Sequence, residues 1–463
     1  MKRTAFMALL LLLSSCRPTT DLLQPELDLP STFSDRREGE ILALPWWRIY
    51  GNAELAALID TAIANNPDLA AGRARLLQLT ETAAIAGVPL VPSVNLSGGA
   101  ALARQPGIVD DLVTERYTLS IAAGYELDLW HRLRDRQQAA KLEQQAGRED
   151  LRTLLISTAA GVTDLYYLAV ELRAQLALLD KLARAQQQTL DLVENRYRAG
   201  IAPPLDFHQA RQLLATIRAR RPPLAEQLAR TEHALATLTG NFAGRERSGE
   251  ELALPTLEAS FGTGLPAGLL ARRPDIRAAL LRLQAQDKRA AAVAAERFPS
   301  FNLLGEYGIA RIDSGAGTAG ILANLAAAAL APLFDGGRRQ AESARELGRR
   351  DELLAGYRKT VLQAFREVED ALAANRETAA AIDRLTEERD CAAATLRLAG
   401  ESYQQGVQPF LQVLFARRAL LEVESRLLAA RRLHVNARTG LHRALGGAWT
   451  DGYLTAVPGE KAS

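Results

Sequence analysis

The residues able to do acid–base, nucleophilic or metal chemistry are few and dispersed. The five histidines, His131, His208, His233, His434 and His442, contain no His-Glu-x-x-His spacing that would hold zinc on one helix face. His434 and His442 lie eight apart, and His208 and His233 fall on what reads as one helix. No phosphate-binding glycine loop and no Gly-x-Ser-x-Gly elbow occurs. The expectation is a non-enzyme without metal or cofactor. Two thiols remain. Cys16 ends an apolar run, and Cys391 stands alone beyond it. Placed within a long helical stretch, Cys391 reads as a small core residue.

The surroundings of Cys16 give its chemistry. Lys2 and Arg3 precede the apolar run Ala5 to Leu13, which is too short to span a bilayer and reads as a secretory signal. The sequence Leu13-Ser14-Ser15-Cys16 resembles a bacterial lipobox, which implies cleavage before Cys16 and lipid attachment to it. Arg17 follows in place of the aspartate that marks inner-membrane retention, so the resemblance points to the outer membrane. Elsewhere the 463 residues are 48% hydrophobic and 24% charged with a net charge of +2. That balance excludes a disordered chain and gives no support to nucleic acid as a partner.

The elements that must position any site are long. From His131 to Ala199 there is no proline for about 69 residues, enough for a helix roughly 100 Å long. Apolar or small residues recur at spacings of four and three, among them Leu151, Leu155, Val162, Leu165, Ala169, Leu172, Leu176 and Leu179. This is a heptad-type seam that requires helical partners, while its Arg, Gln, Glu and Asp faces require water.

The chain is also written twice. Asn66-Pro67-Asp68-Leu69 returns as Arg273-Pro274-Asp275-Ile276, an offset of 274 − 67 = 207. Pro92-Ser93-Val94-Asn95-Leu96 returns as Pro299-Ser300-Phe301-Asn302-Leu303, and Leu127-Asp128 as Phe334-Asp335, at the same offset. Tyr197-Arg198-Ala199-Gly200 matches Tyr403-Gln404-Gln405-Gly406, and Leu238-Thr239-Gly240 matches Leu445-Gly446-Gly447. A tandem duplication explains anchors that hold one offset within a residue. Each half begins with a helix (Leu55 to Ala86; Pro274 to Arg297). Two extended segments follow: Ser93 to Arg104 and Thr114 to Asp128 in the first half, Phe301 to Arg311 and Ile321 to Phe334 in the second. Then come a long helix (His131 to Ala199; Arg338 to Gln405), a glycine turn at Gly200 or Gly406, and a return helix (Pro203 to Leu238; Pro409 to Leu445). Pro222-Pro223 predicts a break in the first return helix. The lead Arg17 to Pro45, the linker Arg245 to Leu265 and the tail Trp449 to Ser463 lie outside the repeat.

Four strands cannot close a barrel, and an open edge in lipid leaves backbone groups unsatisfied. If these strands enter a membrane, further copies must complete them. Three copies would give twelve strands, an allowed even number.

Trp46-Trp47-Arg48-Ile49-Tyr50-Gly51, Asn66-Pro67-Asp68-Leu69, Tyr125-Glu126-Leu127-Asp128-Leu129-Trp130, Ala271-Arg272-Arg273-Pro274-Asp275-Ile276 and Pro332-Leu333-Phe334-Asp335-Gly336-Gly337-Arg338 together resemble the TolC-like outer membrane factors. They are most similar to the lipoprotein branch serving resistance-nodulation-division (RND) efflux pumps. The resemblance implies a mixed α+β, mostly α fold of tandem helix–β-hairpin–long helix–helix units. It implies a homotrimer with a twelve-stranded outer-membrane β-barrel, a periplasmic α-helical coiled-coil barrel and an equatorial domain. The implied partition is a signal peptide at 1–15, a lipidated and equatorial lead at 16–50, and a first repeat at 51–240 with hairpin 93–128 and coiled-coil hairpin 131–240. A linker at 241–268, a second repeat at 269–447 with hairpins 301–334 and 338–447, and a tail at 448–463 complete it.

The implied function is passive conduction of small molecules to the exterior, with a periplasmic adaptor and an inner-membrane RND pump as partners and outer-membrane lipid around the barrel. By the same resemblance the turn tips, with Gly200, Ile201, Gly406 and Val407, dock the adaptor. Leu411, Phe415 and Tyr403 form the periplasmic gate, Leu411 matching a constricting leucine and Phe415 standing where relatives carry an acid. Stacked Leu411 and Phe415 rings would close by apolar contact and dewetting; the alternative is that Phe415 packs between helices. Asp206 and Glu401 are the acids near the tips, and the loops Gln105 to Leu112 and Ile312 to Thr318 would lie at the outer mouth. A type I secretion duct and a lipid-tethered coiled-coil scaffold without a pore remain as alternatives.

Overall fold

The computed structural model describes residues 28–34, 45–105, 112–244, 253–255, 257, 266–313, 318–446, 448–450 and 453. Cys16, and most of both outer-mouth loops, lie outside the described residues. In chain order the elements are α1 (Ala53–Asn65), α2 (Pro67–Gly87), β1 (Ser93–Gln105), β2 (Leu112–Leu127), α3 (Arg132–Arg198), α4 (Pro204–Ala219), α5 (Arg221–Leu238), α6 (Pro266–Arg272), α7 (Pro274–Ala295), β3 (Ser300–Asp313), β4 (Thr318–Leu330), α8 (Arg338–Gln404) and α9 (Phe410–Leu445). They fall into two compact units. One includes residues 74–149 and 277–360 with the sheet, and the other includes 28–73, 150–276 and 361–463.

In the first unit the strands pair antiparallel in the order β1-β2-β3-β4, which leaves one edge each of β1 and β4 without a partner among the described strands. Because alternate residues point to opposite faces, the register sets Leu96, Ile121, Tyr307 and Ala323 in one row of one face. Leu119, Ile309 and Ile321 occupy the row beside it, and these large apolar side chains are exposed. The opposite face carries mostly Ser, Thr, Asn and small residues with the charged Arg116, Glu126 and Glu306, interrupted by apolar side chains such as Leu304, Ile312, Leu322 and Leu330. β4 begins three residues before the expected Ile321 and stops at Leu330 instead of Phe334. Pro332 has no N–H to give the ladder, and Leu333 and Phe334 beyond it are 97% and 92% exposed. Below the sheet α3 and α7 are joined by charge: Arg289 to Glu143 at 3.0 Å, Arg277 to Glu149 at 2.9 Å, Lys288 to Asp135 at 3.4 Å, and Arg136 to Glu296.

The second unit shows why each repeat closes on itself. The expected single helix from Leu55 to Ala86 is two, because Pro67 pushes Asn66 into extended geometry (φ −62°, ψ 126°). The Asn66 side chain then caps α2, Oδ1 accepting from Asp68 N at 2.8 Å and Leu69 N at 3.0 Å. Its Nδ2 donates to the Leu238 carbonyl at the end of α5, at 2.8 Å. The duplicate joint, Arg273-Pro274, repeats the device with a longer side chain, Arg273 Nη1 donating to the Ala444 carbonyl at 3.1 Å. Asp275 and Glu367 neutralise that guanidinium at 2.6 and 2.8 Å. Beside each joint a glycine has a left-handed backbone, Gly240 (φ 77°) and Gly446 (φ 85°). A Cβ on Gly240 would lie 2.4 Å from the Asn65 carbonyl oxygen. The return helices therefore end against the helix joints through contacts that a side chain would obstruct.

The first return helix breaks where Pro222-Pro223 predicts: α4 ends at Ala219 and α5 starts at Arg221, with both prolines in its first turn. The lead touches α8 at the described residues 28–34. There Phe33 is buried with its ring 5.9 Å from that of Phe365, and Ser34 N donates to Glu369 Oε1 at 3.0 Å. A short 3-10 helix, Trp46–Tyr50, buries both tryptophans, Trp46 stacked on His442 and Trp47 edge-on to Trp449.

Cys391 corrects an expectation. It is exposed, not in the core. From Arg376 to Ser402 no residue of α8 is buried, so the described residues leave that span of the helix largely uncovered.

Candidate functional site

The site is built where α3 turns into α4 and α8 turns into α9. Both turns end their helix in the same way. Gly200 (φ 72°) donates to the Tyr197 carbonyl at 2.9 Å and Ile201 to the Arg196 carbonyl at 2.8 Å. Gly406 (φ 75°) donates to the Tyr403 carbonyl at 3.1 Å and Val407 to the Ser402 carbonyl at 2.9 Å. This is a Schellman ending, in which the residue after the glycine normally packs back on its helix. Here it does not: Ile201 and Val407 are 66% and 70% exposed. Each tip thus presents one bare apolar side chain beside a glycine with open space around it.

Behind the turns the two hairpins share one apolar core. Leu190 and Val193 of α3, Leu213 and Ile217 of α4, and Phe410 and Leu414 of α9 are buried in it. Tyr403 belongs to this core and not to an exposed wall, being 8% exposed with its ring 5.1 Å from Phe410. The Arg196 guanidinium lies over the Tyr403 ring at 5.0 Å, and the Tyr403 hydroxyl donates to Asp206 Oδ2 at 3.4 Å. One residue at the end of α8 therefore touches α3, α4 and α9 together. Burial raises the Asp206 pKa, against lowering contributions from Tyr403 and Arg196. Glu401 is turned elsewhere, pairing with Arg397 at 3.0 Å along the surface of α8.

Leu411 and Phe415 lie four residues apart on α9, on one face of the helix. They are 40% and 55% exposed while Phe410, Val413 and Leu414 face the core. Of the three residues expected at the gate, the structure keeps Leu411 and Phe415 on an open face and places Tyr403 behind them.

Two further groups at these elements have no short-range signal in the sequence. Arg417 of α9 donates from Nη1 to Gln186 Oε1 at 2.9 Å and Thr189 Oγ1 at 3.1 Å, both on α3. Burial lowers its pKa. Asp164 of α3 lies under the field of Arg443 and Arg432, yet burial pushes its pKa up to about 6. Their partners lie far away in sequence, so no spacing rule points to them. Among the described residues no group of three or more His, Cys, Asp or Glu side chains is arranged to hold a metal. His434 instead meets Thr378 Oγ1 at 2.9 Å.

Comparison with known proteins places this architecture. The sequence model of the outer membrane efflux protein family matches residues 58–241 and 265–447. The chain is 32% identical to the pyoverdine export outer membrane protein OpmQ of Pseudomonas aeruginosa, over 97% of each chain. It is 31% identical to the toluene efflux pump outer membrane protein TtgF of Pseudomonas putida, over 90% of this chain and 87% of that one. Among solved structures it superposes on the open state of the MtrE outer membrane channel of Neisseria gonorrhoeae with a TM-score of 0.83 and 25% identity, over 94% of this chain and 99% of that one.

Proposed function

Because the chain belongs to the outer membrane efflux protein family, it is an outer-membrane efflux protein of a Gram-negative cell, and we propose that it is the passive exit duct of a tripartite pump. Three copies close the sheet into a twelve-stranded barrel, β4 of one chain pairing with β1 of the next. Their helices continue the conduit through the periplasm. Cys16 carries the lipid anchor after removal of residues 1–15. Energy comes from an inner-membrane RND pump, joined through a periplasmic adaptor that docks at Gly200, Ile201, Gly406 and Val407. Leu411 and Phe415 of three chains ring the periplasmic end and close it by apolar contact and dewetting.

The observation that carries this reading is the sheet: four strands, apolar and exposed on one face, with both outer edges unpaired among the described strands. Such a sheet is unsatisfied both in water and as a single copy in lipid, and closure with copies of itself satisfies both demands. The exposed tip residues support the docking and gate assignments, since Ile201, Val407, Leu411 and Phe415 are large apolar side chains left 40–70% exposed among the described residues.

Planar-bilayer recording on the purified, detergent-solubilised full chain tests it. Small, rare openings in the unaltered protein, becoming large and frequent with Leu411→Ala and Phe415→Ala together, are the expected result. A steady conductance unaffected by the substitutions would keep the duct and reject the gate. Folded protein that conducts in neither form would favour a lipid-tethered scaffold.

A further inference from the structure

Among the described residues the polar face of the sheet holds one carboxylate, Glu306, that no basic side chain pairs with. The register sets Asn95, Ala122, Glu306 and Asn324 side by side across all four strands. Ser120, one row away, is buried and donates its hydroxyl to Glu306 Oε1 at 2.8 Å. Its single proton being used there, Ser97 donates to the Ser120 hydroxyl oxygen at 2.8 Å. Gly308 makes this arrangement possible. A Cβ on it would lie 2.6 Å from that of Ser120, so only glycine leaves the room in which Ser120 supports the carboxylate. A two-hydroxyl relay thus fixes Glu306 against the wall by donors that carry no charge.

The other charges on this face do not cancel it. Arg116 lies six residues along β2 from Ala122, roughly 20 Å at strand spacing, and at about 0.1 M salt that is about two screening lengths. Glu126 lies four residues the other way, and its charge is already met by Arg132 Nη2 at 2.6 and 2.8 Å. Among the described residues no basic side chain pairs with Glu306.

We propose that Glu306 sets the charge preference of the duct. Resting on the trimeric-duct reading, three copies place three fixed carboxylates at one level of the barrel wall, favouring cations and cationic solutes over anions. The preference is a property of the wall, separate from the apolar closure at Leu411 and Phe415. The Ser97–Ser120 relay holds each carboxylate at that level without neutralising it.

The test is the reversal potential of single channels in a potassium chloride gradient, read on the full chain and on the Leu411→Ala, Phe415→Ala background. Each is recorded with Glu306 intact and as Glu306→Gln, Glu306→Lys and Glu306→Asp. The intact channel should prefer potassium. Glu306→Gln should lower the potassium-to-chloride permeability ratio by about twofold or more in dilute salt, where screening is weakest. Glu306→Lys should move it past unity, and Glu306→Asp should retain it. Channels that form normally yet keep one permeability ratio in all four forms would overturn the proposal and leave the duct standing. Folded protein that forms no channel in any form would overturn the duct reading and the proposal with it.

Discussion

At Asp206 a carboxyl sits beside a buried phenol, and desolvation holds its pKa above the usual carboxylate range against the pull of Tyr403 and Arg196. A raised pKa means that the packed tips bind the proton more tightly than separated, solvated tips do. Packing is therefore favoured as pH falls below the raised value and weakened as pH rises through it. Channel openings should become rarer from about pH 7 to about pH 4, and Asp206→Asn should flatten that dependence in single-channel records. The same sign holds at Asp164, whose pKa of about 6 in the fold compares with 3.8 as its ordinary value. Its charged form costs the fold about 3 kcal/mol at neutral pH. That cost develops as pH rises from about 4 to about 6 and beyond, and Asp164→Asn should remove this part of the slope in melting followed by circular dichroism. Neither residue's role was legible in the sequence. Asp206 was visible as an acid near a turn, but its partner Tyr403 lies 197 positions away, and burial of Asp164 depends on helices that meet only in the fold.

Elements were more readable, because period and punctuation are local. The strands alternate, the long helices lack proline, and Pro222-Pro223 marks a break that the chain makes. What escaped is equally physical. Apolar periodicity runs through Asn66 unchanged, so the joint between α1 and α2 is announced only by a proline that also suits a first helical turn. Leu333 and Phe334 look like strand and are not, since Pro332 ends the ladder before them. Cys391 sits in a span of α8 in which no residue is buried. The glycines at element ends separate backbone strain from crowding. Gly200→Ala forces a left-handed alanine into open space and should cost about 1 kcal/mol. Gly240→Ala adds a Cβ 2.4 Å from a carbonyl oxygen that cannot swing away, and should lower the melting temperature clearly further in the same assay.

On the scale of the whole molecule, the duplication, the four strands and the bare edges already pointed away from a monomer. The family comparison places the chain in the outer membrane as an efflux protein, and the trimer is the assembly we propose for it. Light scattering on the detergent-solubilised protein should give three chains of close to 50.2 kDa less the signal peptide, with size and conductance lost together when the sheet edges are disrupted. Palmitate labelling in cells should be lost in Cys16→Ser, while the purified variant still conducts, because the lipid tethers a barrel that closes by its own hydrogen bonds. The two sheet edges are unlike, so the proposed ring joins head to tail, β4 to the next β1. A chain with a ruined β1 edge and a sound β4 edge can still take up a neighbour and then cannot complete the circle. In a cell carrying both versions of the gene, such an allele is dominant, because its product consumes sound subunits in dead ends. An allele that makes no protein is recessive.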